Sequence, residues 1–167
     1  MRKSTLPWSG RLRIALLASL LLTAPLQLTK AAQPAGLLKD FKRTQLIVVA
    51  ASNRCILFDV YVAITREQRS QGLMHIRAMD AYEGMIFLYD QPATISMWMK
   101  NTLISLDMLF ITGDGRILSI QENAVPLAED IISSGGSVMA VLELNAGTTR
   151  RLGITAQDQI IFPASAL

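Results

Sequence analysis

Apolar and polar positions alternate with a period of two over much of the chain. In "CILFDVYVAI" (55–64), Ile56, Phe58, Val60, Val62 and Ile64 share one face while Asp59 and Tyr61 share the other, the pattern of a half-buried strand. Ahead of it, "QLIVVAA" (45–51) is apolar and β-branched, and "SNR" turns the chain between the two. The same reading predicts strands at "MIFLYD" (85–90), "TISMWMK" (94–100), "LDMLFI" (106–111), "RILSIQE" (116–122), "SVMAVLEL" (137–144) and "QIIFP" (159–163). Thr112-Gly113-Asp114-Gly115 is a hairpin signal, because glycine reaches positive φ without strain. Pro126 and "SSGG" (133–136) read as a longer loop.

Two stretches break the period. Thr65-x-x-Gln68 has capping-box form, the threonine oxygen taking the amide of Gln68 while the glutamine reaches back, so "REQRSQGLMHI" predicts a short helix ending near Gly72. "AGTTRRLGI" (146–154) predicts one or two further helical turns. The expected fold is a β-dominated α+β domain in which short antiparallel and mixed strands form a compact, barrel-like sheet with two short helices.

The first residues follow a different pattern. Arg2, Lys3, Arg11 and Arg13 precede the apolar run "IALLASLLL" (14–22), which Thr23-Ala24-Pro25 ends, and "TKA" (29–31) supplies small residues at −3 and −1 of a cleavage site. A membrane-spanning helix needs about 20 apolar residues, and this run is shorter. The expected organisation is a signal peptide over 1–31, a flexible lead-in over 32–44 and a single domain over 45–167, exported to the periplasm or secreted, with no transmembrane segment left after cleavage.

Removing the leader changes the charge. It carries five basic and no acidic residues, and the remainder holds 11 Lys+Arg against 13 Asp+Glu, a formal charge of −2 in place of +3. No Lys/Arg-rich block remains, which excludes a nucleic-acid partner on electrostatic grounds. Cys55 is the only cysteine, so no internal disulfide can form. Its place in an apolar run predicts a small buried hydrophobe.

Candidate chemistry concentrates in "SMWMKNTLISLD" (96–107). With 96–100 as a strand, Met97 and Met99 face one way, and Trp98 and Lys100 the other. One account of this stretch is structural: the methionines fill core, Asn101 pins a turn, and Asp107 accepts backbone amides or pairs with a cation. The other makes Trp98 an apolar wall and lets Lys100, Asn101 and Asp107 converge as the polar groups of a small-ligand pocket. Glu143, bracketed by Leu142 and Leu144, is either solvent-facing or a buried acid in need of a partner. Together with Asp107 it would make the carboxylate pair of a hydrolase, provided the two share a cleft. A lone histidine, His75, excludes a multi-histidine zinc site. Met97, Met99 and Met74 with His75 are the ligand types that suit Cu(I), the competing account being that methionines are adaptable core fillers. Nothing in the sequence calls for a cofactor. The partners expected are a small molecule or an envelope protein.

The ordered pieces "GLMHIRAM", "GMIFLYD", "WMKNTLISLDMLFI", "GDGRILSIQEN", "SSGGSVMAVLELNAGTTRRLGI" and "QDQIIF" resemble the DUF192 (UPF0127) family over about residues 46–162. The resemblance implies a small β-rich domain, in a family that includes exported bacterial members and has no established biochemical activity. Three positions depart from the family pattern. Ser105 stands where proline is usual, Met97 where an aromatic is common, and Gln157 before Asp158 where glycine is usual. The first and third changes are expected to loosen turns.

Overall fold

The computed structural model describes residues 36–51 and 53–162; the expected leader lies outside them. Seven strands and two short helices follow in the order β1 (Lys42–Val49), β2 (Cys55–Ala63), α1 (Arg66–Gln71), β3 (Glu83–Met97), β4 (Leu106–Ile111), β5 (Ile117–Ala124), β6 (Ile132–Asn145), α2 (Thr148–Leu152) and β7 (Gln159–Ile161). The strands form one curled half-barrel sheet in the order β5-β4-β6-β3-β2-β1-β7. Its two edges meet at the Arg116–Gln159 bridge, where Ile160 N–H donates to the Gly115 carbonyl at 2.7 Å, Ile117 N–H to the Asp158 carbonyl and Gln157 N–H to the Ile117 carbonyl, both at 2.9 Å. Among the described residues no helix is long and apolar enough to cross a membrane.

β2 and β3 pair in parallel, and a parallel pair needs a crossover; α1 lies within it. The capping box forms as expected: Gln68 N–H donates to Thr65 Oγ1 at 3.2 Å, and Gln68 Oε1 accepts from the Thr65 and Ile64 amides. That cap ends β2 at Ala63, which is why Ile64 is exposed and leaves the buried row of Ile56, Phe58, Val60 and Val62. The same alternation corrects the expectation for Cys55, which lies on the outer face with Leu57 and Asp59 and is exposed.

Three boundaries differ from the sequence pattern. β1 starts at Lys42, inside the expected lead-in. The segments 85–90 and 94–97 form one long strand, β3, which ends at Met97, so the strand expected over 94–100 stops short of Trp98, Met99 and Lys100. Its register shifts between Leu88 and Ala93, and Pro92 falls in that irregularity, where no ladder amide is required. "SSGG" is part of β6 rather than a loop. Ser134 Oγ accepts from Ile95 N–H at 3.0 Å and donates to the Gly136 carbonyl, which holds the irregular run against β3.

Because the sheet curls, both faces of its middle strands are covered. One face packs Leu46, Phe58, Val60, Ile86, Leu109, Leu142 and Leu144 inside the half-barrel. The other packs Met85, Phe87, Met108, Phe110 and Val141 beneath Leu73 and Ile76 from the α1 exit and Met99. All six residues of β4 are consequently buried. Gly84 is fixed by the close approach of β3 and β6: a Cβ there would stand 2.5 Å from the Glu143 carbonyl oxygen and 2.8 Å from Leu144 Cδ2.

Candidate functional site

A cleft of about 270 Å³ opens over the second of these faces. The α1 segment and its exit supply one side, with Arg66, Arg69 and Met74; β3 supplies Phe87, Tyr89 and Met97; Trp98, Lys100 and Thr102 follow as the chain leaves the sheet; and Glu143 of β6 completes the lining.

Asp107 is elsewhere. Residues directly opposite in an antiparallel pair share a face, and successive residues of a strand alternate between faces. Asp107 opposes Leu144, whereas Glu143 opposes Met85 on β3 and Met108 on β4, so the two acids lie on opposite faces of the sheet. The Asp107–Glu143 pair expected of a hydrolase is therefore not formed. Asp107 is fully buried and acts as the cap of α2: one carboxyl oxygen accepts from the Asn123 and Gly147 amides at 3.0 and 3.1 Å, the other from Thr149 N–H at 2.9 Å and Thr149 Oγ1–H at 2.7 Å. Gly147 at the N-cap has no side chain to do this.

Asn101 also serves the fold. It sits at φ 55°, which asparagine tolerates, with the Thr102 amide closing the turn onto Met99 O at 3.0 Å. Its carbonyl accepts from the His75 amide at 2.9 Å and its Nδ2 lies 3.8 Å from Met74 Sδ, tying this turn to the α1 exit. Of the four pocket residues expected from sequence, Trp98 and Lys100 line the cleft, while Asn101 and Asp107 do not. The soft-metal set separates in the same way. Met74 and Met97 line the cleft, Met99 is buried in the core beneath it, and the His75 side chain is exposed outside the lining.

Trp98 is about half exposed, with Lys100 Nζ 5.7 Å from its ring centroid; Lys100 also stands 3.7 Å from Glu129. Arg69 donates to the Ile64 and Leu88 carbonyls and lies 5.0 Å over the Tyr89 ring. Tyr89 O–H points to Met97 Sδ at 3.8 Å, and burial raises its pKa above the ordinary phenol value.

Glu143 has the most unusual environment. It is 4% exposed, and among the described residues it enters none of the side-chain hydrogen bonds or ion pairs. Burial between Met85 and Met108 pushes its pKa from the ordinary 4.5 up to about 8, so the carboxyl is predominantly neutral at pH 7. A neutral carboxylic acid both donates and accepts, and this one faces the cleft.

The sequence pattern singled out Trp98, Lys100 and Glu143 but missed Arg66, Arg69, Phe87 and Tyr89. The helical spacing of Arg66 and Arg69 places both on one face of α1, a signal available in the sequence. That Phe87 and Tyr89 share this cleft depends on the crossover that lays α1 over β3.

The departures from the family pattern now have structural readings. Gln157 stands at φ 80°, in the left-handed region that favours glycine. Ser105 is tied rather than loosened, since its Oγ donates to the Ala124 carbonyl at 2.8 Å.

Residues 47–162 match the family described as uncharacterized ACR, COG1430, DUF192. The chain is also similar to a Sinorhizobium meliloti 1021 protein described as a candidate transcription regulator, known from a crystal structure, at 44% identity and TM-score 0.72, covering 73% of this chain and 95% of that one. A Novosphingobium aromaticivorans DSM 12444 protein of unknown function, also known from a crystal structure, is similar at 36% identity and TM-score 0.70, covering 72% of this chain and 85% of that one. No curated protein matches. With its matched span running from the end of β1 through β7, the chain belongs to the DUF192 family.

Proposed function

We propose that this chain is an exported binding module that takes a small ligand in the cleft between α1 and the 97–102 segment. The observation that carries this reading is Glu143. Its side chain is almost wholly withdrawn from water, with only the carboxyl edge left toward the cleft, and leucine at this position would avoid the cost of that lost hydration. The acid is instead held at a concave surface whose other walls are aromatic and cationic, as in a preformed pocket with a few orienting polar groups. The two helices are six and five residues long, too short to serve as a groove-reading helix, so the regulator description of the Sinorhizobium protein is not carried over.

The test is a fragment screen on the isotope-labelled full chain, read from amide and indole signals. Hits that move Trp98, Tyr89 and the α1 exit together, and that lose affinity about tenfold in Trp98→Ala, support the cleft. Hits scattered over other surfaces, or none at millimolar concentration, overturn it. Export rests on the leader pattern of residues 1–31 alone. A periplasmic product beginning near Ala32 would support it, and an intact Met1 on cytoplasmic protein would overturn it.

A second reading is an envelope protein docking at the same rim. It is favoured by the exposed Val125, Leu127 and Ile131, in a loop joined to the cleft segment by Leu127 N–H to Thr102 O at 3.1 Å.

A further inference from the structure

The charges around the cleft are one-sided. Arg66, Arg69 and Lys100 contribute three cations, while Glu143 is the only acid in the lining. Arg69 is committed to backbone carbonyls and to the Tyr89 face. Arg66 is exposed and enters none of the ion pairs among the described residues, and Lys100 has only the long contact to Glu129. The available positive charge is therefore at the rim, next to the Trp98 ring.

Resting on the reading that this cleft binds a small ligand, we propose that the ligand is an oxyanion, a carboxylate or phosphate monoester, attached to a flat apolar group. Its anionic end meets Arg66 and Lys100, its flat part lies against Trp98, and the Glu143 carboxyl hydrogen-bonds it at the floor. A cationic ligand would add a fourth positive charge in a partly desolvated space. A neutral one would leave Arg66 and Lys100 without the charge-assisted contacts that an anion offers.

Glu143 makes this binding sensitive to pH. The groups lining the cleft around it are Arg66 and Arg69 from α1, Tyr89 from β3 and Lys100 from the 97–102 segment; β3 and β4 flank it in the sheet with the uncharged Met85 and Met108. Below about 8 its carboxyl is neutral and can donate to an oxygen of the ligand. Above that value it becomes an anion facing an anion and can no longer donate. If only the protonated form binds, affinity drops about tenfold for each pH unit above the transition.

The test uses the full chain with phenylacetate, phenyl phosphate and neutral phenylacetamide, following the Trp98 indole N–H signal, assigned by its loss in Trp98→Phe. At pH 6.5 at least one oxyanion is expected to bind about tenfold more tightly than the amide, and Arg66→Gln with Lys100→Gln to erase that preference. The relative strength of the two oxyanions identifies which class the site takes. Between pH 7 and 9 the affinity of the preferred oxyanion is expected to fall about tenfold in the wild type and to stay level in Glu143→Gln, which keeps a donor but does not titrate. Equal binding of amide and oxyanions, or the same pH profile in Glu143→Gln, overturns this inference while leaving the cleft a ligand site. Failure of all three probes to shift Trp98 overturns it together with the reading on which it rests. The backbone spectrum of each variant establishes that it is folded.

Discussion

Glu143→Gln changes one carboxyl into an amide of nearly the same shape, and its effect on stability follows from the environment of that side chain. The acid titrates near 4.5 when exposed and at about 8 in the folded chain. Between those values the folded state holds a proton that the unfolded state has released, so stability falls as pH rises. At about 1.4 kcal/mol per pH unit, the loss attributable to this one group is about 3 kcal/mol by pH 7 and about 4 kcal/mol by pH 8, levelling off near 5 kcal/mol from about pH 9. The glutamine variant carries no such dependence. The stability of Glu143→Gln relative to wild type should therefore grow steadily from pH 5 to 8 and then level off. In urea, with a slope of about 1–3 kcal/mol per molar, this displaces the midpoint at pH 8 by roughly 1–4 M relative to the offset at pH 4.5. Urea titrations followed by circular dichroism at pH 5, 6, 7, 8 and 9 measure it directly. Any fixed cost of fitting an amide into the site shifts all points equally and cancels. A difference that stays flat over this range would refute the assignment of a desolvated acid with a raised pKa.

Four further outcomes follow from the fold. Asp107→Asn places an amide group among donors that now point at two carboxyl oxygens, and should cost about 2–4 kcal/mol in chemical denaturation. Gly84→Ala drives a methyl group into the Glu143 carbonyl, where backbone cannot yield cheaply; a loss of about 2–3 kcal/mol, or failure to accumulate as soluble protein, is expected. Gln157→Gly relieves a left-handed backbone position and should raise stability by about 1 kcal/mol, read as an increase in Tm. Cys55 should react with one equivalent of a thiol reagent in the folded protein without denaturant, and Cys55→Ser should change stability by no more than about 0.5 kcal/mol.

The sequence by itself determined what depends on neighbours along the chain. Alternation marked the buried row from Ile56 to Val62, the Thr65/Gln68 pattern marked the start of α1, Thr112 to Gly115 marked the hairpin between β4 and β5, and Asn101 was marked as a turn former; each is a matter of backbone preference or side-chain period over a few residues. Tertiary structure decided the rest. "SSGG" became strand because β3 offered it pairing partners, which no local signal reports. Cys55 is exposed because the outer face of β2 is left uncovered at that end, although the residues around it are apolar. The site shows the division most plainly. Asp107 and Glu143 looked equivalent as acids within apolar strands, and register alone separated them. One faces the half-barrel interior, where Thr149 and two further backbone amides satisfy it; the other faces the opposite side, where methionines surround it and a cleft remains open. Since side-chain direction alternates at every residue, a shift of one position in the pairing of β4 with β6 would turn Asp107 to the face that Glu143 occupies, and only the packed sheet fixes that register.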